Sequence, residues 1–150
     1  MGQYHLTVNL DKKEYLNPHK VGDGLKLVEQ IESTAGIGSA LIILCACSNG
    51  RGGGDIKGDN NVIGRWAGDR IAIIGDYTED GDIPGVDTVS IKENLEKTYM
   101  DISDLVRPII EEVCNIEMTG DGWLFKKYKD GGALYQRSAP DMIISGNTKK

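Results

Sequence analysis

Tyr4-His5-Leu6-Thr7-Val8-Asn9-Leu10, followed by Asp11-Lys12-Lys13 and Glu14-Tyr15-Leu16, opens the chain with an alternation of period two. Tyr4, Leu6, Val8 and Leu10 fall on one face of a strand and His5, Thr7 and Asn9 on the other. Asp11-Lys12-Lys13 is polar enough to turn the chain, and Glu14 to Leu16 reads as a short returning strand. Asn17-Pro18-His19 breaks that pattern.

Beyond this strand pair the period changes. Leu25, Leu27, Val28 and Ile31 are spaced for a short helix. The apolar run Ala40 to Ala46 fits either a buried strand or a buried helix, and the helix is preferred. Asn49 to Asn61 is a polar, glycine-dense loop. Val62 to Trp66 and Arg70 to Ile74 read as strands separated by Ala67-Gly68-Asp69, and Tyr77 to Val86 as an acidic loop.

Asp101 or Ser103 is placed to cap a helix running to about Asn115, with Leu105, Val106, Ile109, Ile110 and Val113 on one face; Pro108 predicts a kink, or a helix that begins near it. Gly120-Asp121-Gly122 and Asp130-Gly131-Gly132 read as turns around Trp123 to Tyr128. Asp141 to Ile144 is a last strand and 147–150 a frayed tail. The expected architecture is α+β: one domain over residues 1–150, a small mixed β-sheet packed against two or three helices.

The composition narrows the function classes. A chain of 150 residues can bury a core without staples. It has one Phe and two Trp, so the core must come from Ile, Leu and Val. A net charge of −6 disfavours a nucleic-acid surface and suits a basic protein partner. Cys45, Cys47 and Cys114 lack metal-ligand spacing and are expected as buried, inert thiols in a reducing compartment. Met1 to His5 lacks a leader's basic and apolar regions, and the longest apolar stretch, Ile37 to Cys47, falls far short of a membrane span. A soluble cytoplasmic protein is expected.

Glycine numbers 20, nearly twice the usual share of about 7%, which implies many tight turns or backbone lining a ligand. Gly50, Arg51, Gly52, Gly53, Gly54 and Asp55 form a run whose backbone N–H groups suit a phosphate nest, with Arg51 adding a planar fork. It lacks the Lys-Ser/Thr of a Walker loop, and a mobile surface loop is the preferred reading of the same residues. Trp66 near Asp69 and Arg70 suits stacking and charge neutralisation of a nucleotide-like ligand, or a core anchor beside a locked turn. His19 and Lys20 are further candidates for the same ligand.

Asp76, Thr78, Asp80, Asp82 and Asp87 match a calcium loop, with Gly81 at the turn and Ile83 at the apolar position. Its flanks do not read as the two helices such a loop requires. His5 and His19 offer at most one acid–base residue, and Ser39 is not in a nucleophile elbow. No catalytic residue is assigned, and an enzyme is not expected.

Met1-Gly2-Gln3-Tyr4, Val8 to Glu14, Pro18-His19-Lys20, Gly22 to Leu27, Asn49 to Asp55, Trp66 to Ile71 and Gly75-Asp76-Tyr77 together resemble a family of small bacterial and phage proteins with no established activity. The resemblance covers roughly the first half of the chain. It implies a prokaryotic or phage cytosolic origin and carries over no site residue. The leading expectation is a non-enzymatic binder of a phosphorylated or nucleotide-like ligand, such as a phage protein sequestering a host defence signal. The alternatives are an acidic protein–protein interaction module, such as a phage inhibitor of a host protein, and a calcium protein.

Overall fold

Asn9 makes the first turn. Its Oδ1 accepts the N–H groups of Asp11 (2.9 Å) and Lys12 (2.8 Å), and Lys13 adopts a left-handed φ of 56°. An Asn side chain that bonds the backbone two and three residues on imitates a turn's own hydrogen bond. The turn joins β1 (His5–Asn9) to β2 (Glu14–Leu16) in antiparallel register, Val8 opposite Tyr15. The computed structural model describes residues 2–53, 56 and 61–130. The expected strand at Asp141 to Ile144, the tail at 147–150 and the turn residues Gly131 and Gly132 lie outside the described residues.

Among the described residues, two later strands join the sheet. β3 (Ile71–Gly75) runs antiparallel to β1 on its far side, and β4 (Met100–Asp101) runs parallel to β2. The order is β3-β1-β2-β4, a mixed sheet. A separate antiparallel pair, β5 (Ile116–Thr119) and β6 (Phe125–Tyr128), forms a hairpin. The helices are α1 (Leu27–Ile31), α2 (Ile37–Cys45), α3 (Thr88–Glu93), α4 (Leu95–Thr98) and α5 (Ser103–Cys114). The fold is a small α+β domain.

The register assigns the two sheet faces. Leu6, Val8, Tyr15, Ala72 and Ile74 are cross-strand neighbours and pack with Ile91 and Leu95 of α3 and α4. Leu16 and Ile71, on the opposite face, join the larger core with Ile37, Ala40, Ile43 and Leu44 of α2, Val106 and Ile110 of α5, and Trp66. Aliphatic side chains dominate both clusters, as one Phe in 150 residues required.

The strand expected at Val62 to Trp66 is a run of turns. Arg65 N–H donates to Val62 O, Ala67 N–H to Gly64 O and Asp69 N–H to Trp66 O, all at 3.0 Å. The segment closes the end of α2, because Gly64 N–H reaches Ile43 O (2.9 Å) and Trp66 N–H reaches Leu44 O (2.8 Å). These are terminal carbonyls that the helix itself leaves unpaired. Gly64 sits at φ 83°, and a Cβ there would come 2.6 Å from Ala46 O. Neither that φ nor that approach is compatible with a strand residue.

Three other expectations change. α3 and α4 were not foreseen, so the described residues hold five helices rather than two or three; Asp87 starts α3 by accepting Ser90 N–H at 3.2 Å. β5 was also missed, because the chain enters it directly from Asn115, which ends α5 at a left-handed φ of 55°. Cys45 and Cys47 are exposed and Cys114 is only partly covered, so they are not buried thiols. Helical spacing explains Cys45: Ile37, Ala40 and Leu44 point inward, which turns Ile42 and Cys45 outward. No helix among the described residues is long and apolar enough to cross a membrane.

Candidate functional site

Three of the residues singled out as a nucleotide site, Trp66, Asp69 and Arg70, are bonded to the first hairpin. Trp66 is fully buried, and its indole N–H donates to Glu14 Oε1 at 2.8 Å. Arg65 Nε lies 3.0 and 3.1 Å from the two oxygens of the same carboxylate. Burial alone would raise the Glu14 carboxyl, but the Arg65 and Trp66 hydrogen bonds outweigh it and hold the group below its ordinary range. Asp69 accepts from Lys12 Nζ and from Asn9 Nδ2, and both bonds keep it ionised below the usual range. Arg70 donates its backbone N–H (2.7 Å) and its Nε (2.9 Å) to Asp11.

Asn9, Asp11, Lys12 and Glu14 therefore clasp residues 65–70 to the first hairpin. Trp66 has no free face for a base. Core anchoring, the other role open to Trp66, is the one it fills.

The remaining candidates lie on other elements. His19 and Lys20 belong to a 3-10 turn, Pro18–Val21, capped by Asn17, whose Oδ1 accepts His19 N–H at 3.0 Å. Lys20 pairs with Asp101 at 3.1 Å. Arg51 ends a second 3-10 turn, Asn49–Arg51, and is exposed. Around Gly50, Gly52 and Gly53 a Cβ would meet nothing within 4 Å. Left-handed φ values of 103° and 76° account for Gly52 and Gly53, whereas crowding accounts for none of the three. Gly54 and Asp55 lie outside the described residues.

The carboxylates of the acidic loop serve as caps. Asp76 Oδ1 accepts Tyr4 N–H, Asp82 Oδ2 accepts Glu79 N–H, and Asp87 Oδ1 accepts Ser90 N–H. Thr78 Oγ1 bonds to Asp82 and to Thr88 Oγ1, while Asp80 is exposed. Among the described residues no group of three or more His, Cys, Asp or Glu is arranged to hold a metal ion.

A cleft of about 480 Å³ opens where β1, β2 and the 3-10 turn meet α3 and α4. Its apolar lining is Leu6, Tyr15, Leu25 and Leu95. Asn17, His19 and Asn94 add neutral polar groups, and Lys92 and Lys97 add positive charge beside Glu93 and Glu96. The wall exists because Ile91 and Leu95, four residues apart, face the sheet, which leaves the intervening polar residues at the rim. Asn94 joins the two helices: its Nδ2 reaches Ser90 O (3.0 Å), and its carbonyl accepts Thr98 Oγ1 (2.9 Å). Lys92 Nζ bonds Asp76 O at 3.1 Å. Tyr15 lines the floor with its hydroxyl pushed up by burial and by Asp101. Among the described residues nominated from sequence, His19 is the one that reaches this cleft. Lys92, Asn94 and Lys97 carried no motif that would have found them.

A second cluster is structural in geometry. Lys126 of β6 extends to Asp23 Oδ1 (3.0 Å), Ser33 Oγ (2.6 Å) and Thr34 O (2.8 Å), while Asp23 Oδ2 accepts Ile37 N–H (2.8 Å). Both side chains are essentially buried. Burial pushes the Asp23 carboxyl up and the Lys126 ammonium down. Gly22 and Gly36 make room for the pair: a Cβ on either would overlap Lys126 or Asp23. Outside it, Trp123 stacks parallel to His19 at 5.2 Å between ring centres, with Phe125 6.4 Å beyond.

Comparison of the chain with protein-family models, with curated proteins and with solved structures finds no match.

Proposed function

We propose that this chain is a non-enzymatic binding protein for a small anionic, nucleotide-like ligand held in the cleft between the first hairpin and α3–α4. One observation carries the reading: an apolar floor of Leu6, Tyr15, Leu25 and Leu95 meets a rim bearing Lys92, Lys97, His19, Asn17 and Asn94. Small-molecule sites combine an apolar lining with a few placed polar groups in roughly 300–1,000 Å³, and this cleft falls in that range. The lysines answer a phosphate or carboxylate. Glu93 and Glu96, interleaved with them, answer hydrogen-bond donors such as sugar hydroxyls or an exocyclic amine. Sequestration of a signalling nucleotide by a phage or bacterial protein is one role of this class.

Native mass spectrometry of the purified protein tests the reading. A small added mass that wild type retains and a Lys92→Glu/Lys97→Glu variant loses supports it. Equal occupancy in the two proteins removes the cleft as the site.

The acidic loop favours a second reading, a protein module for a basic partner. Glu79, Asp80 and Asp82 are exposed there beside Tyr77, which is 58% exposed. That reading predicts association weakened by salt and insensitive to the Lys92/Lys97 changes.

A further inference from the structure

β3 is the edge of the four-stranded sheet, with β1 on one side and, among the described residues, no strand on the other. Leu10 N–H donates to Arg70 O and Asp76 N–H to Tyr4 O, both at 2.9 Å. Hydrogen-bonded pairs alternate along an antiparallel ladder, so Arg70, Ala72, Ile74 and Asp76 turn their backbone groups toward β1. Ile71, Ile73 and Gly75 therefore turn theirs off the edge. Gly75 O is engaged by Thr78 N–H at 3.2 Å.

Edge strands are ordinarily guarded by Lys, Pro, a bulge or an inward charge. β3 reads Ile-Ala-Ile-Ile-Gly and carries none of these side chains. Ile73 is 50% exposed. The guards stand at the strand's two ends instead, and they are opposite in sign: Arg70 directly precedes it and Asp76 directly follows it.

That arrangement is complementary to itself. If a second copy runs antiparallel with Ile73 on the two-fold axis, paired numbers sum to 146, so 73 faces 73, 71 faces 75 and 70 faces 76. The bonded pairs are then the odd residues, whose backbone groups already point outward. Arg70 of each copy meets Asp76 of the partner subunit. Arg70 is exposed enough to do so while it holds Asp11. A slip of one residue sets inward-turned groups against outward-turned ones, and a slip of two separates the charges.

We propose that β3 is a self-association edge, where a second copy of this chain adds antiparallel about Ile73 and joins the two sheets. The contact is isologous, as closed dimers require. It spans only five residues, so the dimer is weak and appears with concentration.

Sedimentation velocity from nanomolar to high micromolar protein, with hydrogen exchange at both limits, tests the proposal. The expected result is a monomer that becomes a dimer as the Ile73 amide gains protection. Ile73→Lys sets like charges opposite each other on the axis and should weaken the dimer roughly tenfold or more. The position is exposed, so thermal stability of the dilute variant should match wild type. A monomer at every concentration overturns the proposal. So does a dimer that Ile73→Lys leaves unchanged and in which the Ile73 amide stays unprotected.

Discussion

Replacing Lys126 by Met removes one ammonium from the interior and keeps most of the stem that packs over Gly22. Asp23 then loses its cation and keeps two neutral donors, the Ile37 N–H and the Ser33 hydroxyl. Removing one member of a buried ion pair costs about 3–5 kcal/mol, because the other charge stays desolvated. For a domain of this size that is a drop of roughly 6–20 °C in Tm.

The loss carries a pH signature. Burial already holds the Asp23 carboxyl above its ordinary range with Lys126 beside it, and without the ammonium it rises further. A carboxyl raised in the folded state stabilises while protonated, and that contribution disappears as pH climbs through the raised value. The variant should therefore be closest to wild type in mild acid and furthest from it at neutral pH. Asp23→Asn added to Lys126→Met removes the orphaned charge, keeps an acceptor for Ile37, and should recover much of the loss. Urea denaturation at mildly acidic and neutral pH measures all three proteins. A loss below about 1 kcal/mol at neutral pH, or one independent of pH, would refute the reasoning.

Three further outcomes are expected. Glu14→Gln leaves Trp66 an acceptor but removes the charge facing Arg65, at a cost of about 1.5–3 kcal/mol for a hydrogen bond to a charged group. The Glu14 carboxyl is held low in the folded state, so its contribution is present at neutral pH and fades as pH falls below the ordinary carboxylate range. Acid titration of stability should therefore be shallower in Glu14→Gln than in wild type. Gly38→Ala lies in the first turn of α2 with nothing within 4 Å of the new methyl, and should gain about 0.5–1 kcal/mol by thermal melting. Gly64→Ala should lose more than that gain, since both its φ and the Ala46 carbonyl oppose a side chain.

The parts of this fold that sequence revealed are those governed by local period. Tyr4 to Leu10 alternates and contains β1, and Ser103 to Cys114 is amphipathic at helical spacing and is α5; Ala40 to Ala46, whose period fitted strand and helix alike, falls largely within α2. Val62 to Trp66 misled because its conformation is set by the end of α2, some twenty residues earlier in the chain, and by a left-handed Gly64. α3 and α4 are too short for a periodic signal, and Asp87 and Thr88, which start α3, read equally well as the end of an acidic loop.

The same distance effect hid the site. Trp66, Asp69 and Arg70 were visible as chemistry, but their partners Glu14, Lys12, Asn9 and Asp11 lie more than fifty residues away and occupy them. Lys126 and Asp23 are separated by 103 positions, and neither belongs to a motif. Lys92 and Lys97 belong to no motif, and only α3 and α4 bring them to the cleft that Tyr15 also lines.

Titration of isotopically labelled protein with adenosine monophosphate, read by NMR, tests the central claim most directly. Saturable shifts are expected, confined to Leu6, Tyr15, Asn17, His19 and residues 92–97 and lost in the Lys92→Glu/Lys97→Glu variant. Shifts centred on residues 49–53, or a spectrum unchanged at saturating nucleotide, would contradict it.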